Sequence, residues 1–197
     1  MTVDDIPVRD AAPAGGPARH QTRLRALGGW VVFIAAVLVV AMAARAYAVQ
    51  TFFVPTPSMV PTLMPGDRII VNKLSSTVHR GDIVVFRDVP ADQGGPPILV
   101  KRVIGLPGET ISSRANTVLI DGKALPEPWL GPLTGICQQA SEHIKATHIA
   151  PDHYFVMGDC RGDSGDSRYW GTVPGANILG KVDVVVWRAG HPWFHWF

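Results

Sequence analysis

The sequence has little cysteine and no dense cluster of basic residues. Its two cysteines, Cys137 and Cys160, form no CxxC motif, and two are too few for a disulfide-dense scaffold. The net charge is only +2 at pH 7, and without a basic patch the chain lacks the electrostatic footprint of a nucleic-acid-binding protein. These absences exclude the small disulfide-rich class and predict no nucleic acid among the partners.

Charge is also missing from one long stretch, residues 26–44, which reads ALGGWVVFIAAVLVVAMAA. About 19 helical residues at about 1.5 Å each span a bilayer core of about 30 Å, so we expect a transmembrane anchor over residues 26–48. Arginines are more frequent before the stretch than after it, which places the N-terminus in the cytoplasm. Residues 1–25 are rich in Ala, Gly, Pro and charge, and are predicted to form a disordered cytoplasmic tail.

The same region has an alternative interpretation as a cleaved secretory signal. A basic start, an apolar run and the triplet Ala46-Tyr47-Ala48 resemble such a signal with its A-x-A cleavage site. The apolar run exceeds the usual length of about 7–15 residues, which favours a retained anchor.

Helical periodicity is scarce after residue 48, whereas glycine and proline are abundant at 20 and 17 residues. Short runs rich in Val, Ile and aromatic residues alternate with turn residues, and Asp121-Gly122 between two apolar runs is a strong hairpin signal. The pattern predicts a mostly β domain with strands near residues 68–74, 82–89, 98–106, 117–125, 154–159 and 181–188.

Ser58 is braced by prolines at 55, 57 and 61, which narrow the backbone choices around it. Such a serine is either a turn residue or a nucleophile, and a nucleophilic hydroxyl needs a base. The seven histidines lie in the tail, in loops or near the C-terminus, so none is an obvious candidate for that base.

Lys101 stands out within the apolar run ILVKRVIGL. Strand alternation places it on one face with Leu99 and Val103, and burial on that face would lower its pKa enough for the neutral amine to accept a proton from serine. In the alternative, Lys101 points outward from an edge strand and Val100 and Arg102 occupy the inner face.

A third segment, YFVMGDCRGDSGDSRYWGTVP, can hold itself rigid through Asp–Arg pairs and hydrogen bonds from Ser and Asp to the backbone. A solvated turn is the alternative. A calcium loop is disfavoured, because Arg161 stands at the third position and the terminal Glu is missing. No metal or cofactor is predicted.

Together these segments resemble the type I signal peptidases, a bacterial family of membrane-anchored Ser-Lys endopeptidases. PTPSMVPTL is similar to the family's nucleophile box, GDRIIVNK and GDIVVF to the two strand boxes that follow, VKRVIGLPGE to the lysine box and MGDCRGDSGDSRYWG to the last box. Five boxes in order with consistent spacing make the resemblance specific.

The resemblance implies a role for individual residues. Ser58 matches the nucleophile and Lys101 the general base, while Thr56 and the Ser58 N–H match the oxyanion donors. Ser164 matches the serine that orients the amine, and Asp166 and Arg168 match a supporting ion pair. Apolar residues that match neighbours of the lysine are Phe86, Leu99 and Met157. Candidate walls for the substrate are Phe52, Val54, Pro55, Met59, Leu63, Val85, Leu99 and Val100.

The resemblance also implies an antiparallel β-sheet peptidase domain over residues 49–197 on the extracytoplasmic side, with a small insertion at about 106–151. The expected substrates are exported preproteins with small residues at the first and third positions before the cut, and the second partner is the lipid bilayer. Cys160 replaces the family's asparagine, and Cys137 is its possible disulfide partner on a side of the membrane that permits disulfides; two free thiols are the alternative.

Two other functions remain open on the sequence alone. One is a related Ser-Lys peptidase dedicated to a single pilin or conjugation substrate, and the other is a non-catalytic membrane-anchored relative that binds exported chains. The C-terminal HPWFHWF suits either a membrane interface or a hydrophobic plug on the sheet.

Overall fold

A computed structural model of the chain describes residues 18–75, 77–87, 98–131, 135–138, 143–188 and 190–197. Within these residues the helices are α1 (Ala18–Ala48) and α2 (Ser167–Trp170), and short 3-10 turns lie at Pro57–Met59, Gly135–Gln138 and Gly175–Asn177. The strands are β1 (Val49–Phe53), β2 (Arg68–Asn72), β3 (Ile83–Arg87), β4 (Ile98–Gly105), β5 (Thr110–Arg114), β6 (Thr117–Ile120), β7 (Lys123–Ala124), β8 (Thr147–His148), β9 (His153–Met157), β10 (Val173–Pro174), β11 (Ile178–Arg188) and β12 (His191–Trp196).

Helix α1 begins earlier than the sequence suggested. Residues 18–25, expected in the disordered tail, are helical, and they include three arginines, one alanine, one glutamine and one leucine, which favour helix formation. The remainder of the predicted tail, residues 1–17, lies outside the described residues. In the described part of the chain, no helix combines the length and the apolar character needed to cross a membrane.

Residues 45–197 form a compact unit built around an eight-stranded antiparallel sheet. The strand order is β1-β2-β11-β3-β4-β9-β10, with β12 paired to β11. The long strand β11 pairs with β2 on one side, and on the other with β3 and then with β12. The mostly β, antiparallel architecture predicted from the sequence is therefore confirmed, although residues 88–89 of the run predicted at 82–89 lie outside the described residues.

A second, four-stranded sheet occupies the predicted insertion, in the order β7-β6-β5-β8. The Asp-Gly pair does form a hairpin between β6 and β7, with positive φ angles of 49° at Asp121 and 78° at Gly122. Ile111 and Val118 of this sheet pack with Ile104 and Phe155 of the large one, so the two sheets share a core.

Strand β12 carries the aromatic residues near the C-terminus. Trp193, Phe194 and Trp196 remain 44%, 70% and 71% exposed, although the strand is paired with β11. This exposure differs from the packing expected of a hydrophobic plug.

Candidate active site

Ser58 lies in the 3-10 turn that follows β1. Pro57 takes the first position of this turn, where its fixed φ and missing N–H are tolerated. Met59 and Leu63 extend from the same segment into the core, where they are 1% and 0% exposed. Ser58 itself is 8% exposed, and its N–H belongs to a first helical turn, in which backbone donors have no partner within the helix. The sequence thus fixes the serine against the core and leaves a backbone donor beside it.

Lys101 reaches Ser58 from strand β4. Its side chain is 3% exposed, and Nζ lies 2.6 Å from Oγ of Ser58. The hydroxyl of Thr56, at an exposed position, lies 3.3 Å from the same Oγ. The structure therefore brings together the proposed nucleophile, the proposed base and a second hydroxyl.

Burial lowers the pKa of Lys101 from 10.5 to about 8. Loss of water is the largest cause, and the positive charge of Arg168 acts in the same direction. The carboxylates of Asp166, Asp159 and Asp163 favour the ammonium form and limit the drop in pKa. At pH 7 about one amine in ten is then neutral, compared with fewer than about one in a thousand for an unperturbed lysine.

Asp166 organises the loop that follows β9. Its fully buried carboxylate pairs with Arg168 through two contacts, Nε to Oδ1 at 2.8 Å and an Nη2 contact to Oδ2 at 2.8 Å. It also accepts the backbone N–H of Gly158 at 2.9 Å and caps α2 through the N–H of Arg168. The ion pair expected at these two positions is present, and both of its charges act on Lys101, in opposite directions.

Ser164, the serine expected to orient the amine, is hydrogen-bonded to Asp166. Its hydroxyl donates to Oδ2 of Asp166 at 2.7 Å, and among the described residues it makes no hydrogen bond to Lys101. A carboxylate is the stronger acceptor, and the amine is directed at Ser58 instead. Ser164 thus contacts a carboxylate whose charge acts on the pKa of Lys101, and its orienting role stays a prediction.

A buried ion pair close to Ser58 and Lys101 was not predicted from the sequence. Nε and Nη2 of Arg102 donate to the two carboxylate oxygens of Asp159 at 2.8 and 2.6 Å, and Nη1 donates to the carbonyl of Gly81 at 2.7 Å. The hydroxyl of Thr62 also donates to Asp159 at 2.5 Å. Alternation along β4 predicted that Arg102 and Lys101 lie on opposite faces of the sheet. It did not indicate that the face carrying Arg102 is buried as well.

A cleft opens beside Ser58, between the end of β1 and the start of β4. Of the predicted walls, the ones that line it are Phe52, Val54, Pro55, Met59, Leu99 and Val100. Leu63 and Val85 are fully buried in the core behind these walls. Phe53 and Ile98 also line the cleft and were not predicted from the sequence.

Two strand edges border this cleft. Residues 98–101 of β4 pair with β3 on one side, and pairing with β9 on the other side begins only at Arg102. Strand β1 pairs with β2 alone among the described strands. An extended peptide could therefore make main-chain hydrogen bonds along either edge.

Cys137 and Cys160 form a disulfide, with Cα atoms 4.3 Å apart. The pairing raised as a possibility by the sequence is thus present, and it joins the loop that follows β9 to the stretch between β7 and β8. In the parts of the chain that the structure describes, His, Cys, Asp and Glu side chains form no group able to hold a metal ion.

The sequence of this chain is similar to those of known proteins. Residues 27–187 match the family described as "Signal peptidase, peptidase S26". A signal peptidase I of Leptolyngbya laminosa is 35% identical over 190 residues, which cover 93% of this chain and 91% of the relative. A signal peptidase I of Bacillus caldolyticus is 36% identical over 170 residues, covering 80% of this chain and 89% of that protein. A crystal structure of a signal peptidase I from Enterococcus faecalis is 31% identical with a TM-score of 0.42, covering 53% of this chain and 96% of that chain.

Proposed function

We propose that this chain, which belongs to the signal peptidase family (peptidase S26), is a serine endopeptidase. It would remove N-terminal signal peptides from exported preproteins. The observation that carries the proposal is the 2.6 Å approach of the buried Lys101 amine to the Ser58 hydroxyl. A lysine whose pKa is lowered to about 8 can act as a base near neutral pH, whereas a solvated lysine cannot.

In the proposed reaction, neutral Lys101 takes the proton of Ser58 Oγ while that oxygen attacks the scissile carbonyl. The resulting oxyanion is stabilised by the Ser58 N–H and the Thr56 hydroxyl, and one such donor is worth roughly 2.7–4 kcal/mol in a serine protease. The ammonium then returns its proton to the leaving amine. A water activated by the same lysine hydrolyses the acyl-enzyme, and no step requires a metal or a cofactor.

The cleft supports an extended substrate. We infer that the residues before the cut add a strand between the open edges at the start of β4 and the end of β1. The apolar lining would then receive the side chains at the first and third positions before the cut. Small side chains suit the cleft, because its cavity volume is only about 110 Å³.

We further propose that residues 26–48 anchor the enzyme in the cell membrane as a single span, with residues 1–25 in the cytoplasm and residues 49–197 outside. The uncharged stretch of 19 residues supports this placement, as do apolar side chains of α1 such as Phe33 and Val40, which are 60% and 67% exposed. The exposed Trp193 and Trp196 of β12 are suited to the headgroup region of the same bilayer.

The function is tested with a full-length preprotein carrying an A-x-A site and the full chain in detergent micelles. We expect cleavage at that site by the wild-type chain, and none by Ser58→Ala or Lys101→Arg, because a guanidinium does not deprotonate in proteins. A folded Lys101→Arg protein that still cleaves the preprotein would refute the assignment of Lys101 as the general base for Ser58. Binding without cleavage by the wild-type chain would favour the non-catalytic relative, and cleavage of one substrate in a broad panel would favour a dedicated peptidase.

Topology is tested separately in sealed membrane vesicles that expose the outer face. Added protease should digest residues 49–197 and leave a membrane-embedded fragment that contains α1. Protection of the catalytic domain in such vesicles would overturn the proposed orientation.

A further inference from the structure

The backbone of the nucleophile is held by the loop that follows β9. The N–H of Cys160 donates to the carbonyl oxygen of Ser58 at 3.0 Å. Gly158 also packs against this carbonyl, since a Cβ added there would lie 2.4 Å from the Ser58 oxygen. The position of Ser58 relative to Lys101 therefore depends on where this loop lies.

Three residues from the stretch between β7 and β8, here called the strap residues, hold that loop: Glu127, Trp129 and Cys137. Cys137 is bonded to Cys160. Both carboxylate oxygens of Glu127 pair with the guanidinium of Arg161, and one of these contacts, from Nη1 to Oε2, is 3.2 Å.

The third strap residue acts through the buried ion pair. The ring of Trp129 lies 5.4 Å from the guanidinium of Arg102, which is itself paired with Asp159. The same ring packs on Gly81, where an added Cβ would lie 3.2 Å from it. Strap contacts thus converge on three consecutive loop residues, reaching Asp159 through Arg102 and reaching Cys160 and Arg161 directly.

The loop residues need these partners because they are out of water. Asp159 and Cys160 are 0% exposed and Arg161 is 5% exposed, and buried charged groups are stable only when they are paired. Inside the loop, Arg161 has a further bond from Nε to the Gly158 carbonyl at 3.1 Å. Loss of a strap residue would therefore shift the backbone of Cys160, whose N–H binds the Ser58 carbonyl.

We propose that Glu127, Trp129 and Cys137 are positioning residues of the peptidase reaction, which hold the loop so that the Cys160 N–H fixes Ser58 within reach of the Lys101 amine. The proposal rests on the proposed function. It also makes the enzyme sensitive to reductant, because the strongest of the strap contacts is a disulfide.

The test compares the wild-type chain with the double variant Cys137→Ala/Cys160→Ala, both full length in detergent micelles, on the A-x-A preprotein. A misplacement of the nucleophile by about 1 Å costs on the order of 10² in rate, so we expect kcat to fall between about 10- and 100-fold. We expect KM to change by less than about twofold, because no strap residue lines the cleft. The wild-type chain treated with a phosphine reductant should lose activity to the same degree, and the double variant should not respond to that reductant.

Two more readouts separate positioning from general stability. The acid limb of kcat against pH should move to higher pH in the double variant, because water admitted beside Lys101 restores its ammonium form. Glu127→Gln should lower kcat in the same manner, with a smaller effect. Glu109→Gln is the matched control: it removes an ion pair with Arg80 in the same part of the chain without touching the loop, and should leave kcat unchanged.

The proposal is overturned if the reduced wild-type chain and the double variant, both folded by circular dichroism, keep wild-type kcat and pH profile. A loss of activity equal to the loss of folded protein would overturn it as well. If the double variant does not fold, Glu127→Gln decides by the same criteria. Failure of the proposed function would look different, because the wild-type chain would then cleave no better than Ser58→Ala.

Discussion

Replacing Lys101 by methionine should inactivate the protein and stabilise it at neutral pH. A pKa lowered from 10.5 to about 8 corresponds to roughly 3 kcal/mol of cost for burying the ammonium, at about 1.4 kcal/mol per pKa unit. Methionine has a similar length and carries no charge, so it removes this cost. It also removes the bond to Ser58, worth about 1 kcal/mol. The free energy of unfolding of Lys101→Met should therefore exceed that of the wild type by about 2 kcal/mol at pH 7.

The stability advantage of Lys101→Met over the wild type must disappear as pH rises. Below pH 8 the amine is protonated in both the folded and the unfolded chain, and the folded state carries the full cost. Between about pH 8 and pH 10.5 the unfolded chain binds more protons than the folded one, so the stability of the wild type increases with pH. Above pH 10.5 both forms are neutral, the cost is gone, and only the lost hydrogen bond remains.

The measurement is urea unfolding of both proteins from pH 6 to pH 11, in the same detergent, followed by tryptophan fluorescence. Only the difference between the two curves is interpreted, because other titrating groups contribute equally to both. Lys123→Met, at an exposed position on β7, is the control and should show no pH-dependent difference. A Lys101→Met protein whose advantage is the same at pH 7 and pH 10.5 would refute the assignment of Lys101 as a buried amine of lowered pKa.

Three further outcomes follow from the same geometry. The wild-type kcat/KM at subsaturating substrate should rise with pH through an ionisation near 8. Leu99→Glu should move that ionisation to higher pH, because a carboxylate on the same strand face favours the ammonium form of Lys101. An ionisation that stays near pH 8 in this variant would contradict its assignment to Lys101. Thr56→Val should lower kcat by about 10²–10³ with little change in KM, since it removes one proposed oxyanion donor and keeps the shape; a variant with wild-type kcat would rule that donor out. Gly158→Ala should abolish turnover in protein that still folds, because its Cβ would lie 2.4 Å from the Ser58 carbonyl oxygen, and retained activity would show that the loop can shift freely.

Five strands of the large sheet, β2, β3, β4, β9 and β11, were predictable because each contains a run of Val, Ile or aromatic residues bounded by turn residues, whereas β1, β10 and β12 were not predicted. The small sheet was harder to foresee. Strands such as β7 (Lys123–Ala124) and β8 (Thr147–His148) are too short to show a period, and β5 reads TISSR, so the segment looked like a loose insertion. Its stability comes from the core it shares with the large sheet, and that contact is not visible in a local sequence pattern.

The candidate site divides in the same way. Ser58 and Lys101 could be singled out, because a serine between prolines and a lysine in an apolar strand are both unusual. The buried partner of Arg102 could not be found, since Asp159 lies far away in sequence and each residue alone looks like an ordinary surface charge. Leu63 and Val85 show a further limit, because an apolar residue in the cleft wall and one in the layer behind it have the same sequence signature.

The place of β11 in the large sheet has a consequence for biosynthesis. β11 lies between β2 and β3, which come far earlier in the chain and do not pair with each other. At its end, Arg188 donates to the carbonyl of Thr62 at 3.0 Å and to the buried carboxylate of Asp67, and so fastens the turn that follows the nucleophile. The early strands cannot close into a sheet until residues 178–188 have been made and inserted between them, and contacts between such distant segments form slowly. During synthesis, the nascent protein would thus carry its serine and lysine for most of that time without holding them together, and proteolytic competence would arrive as one of the last events of folding.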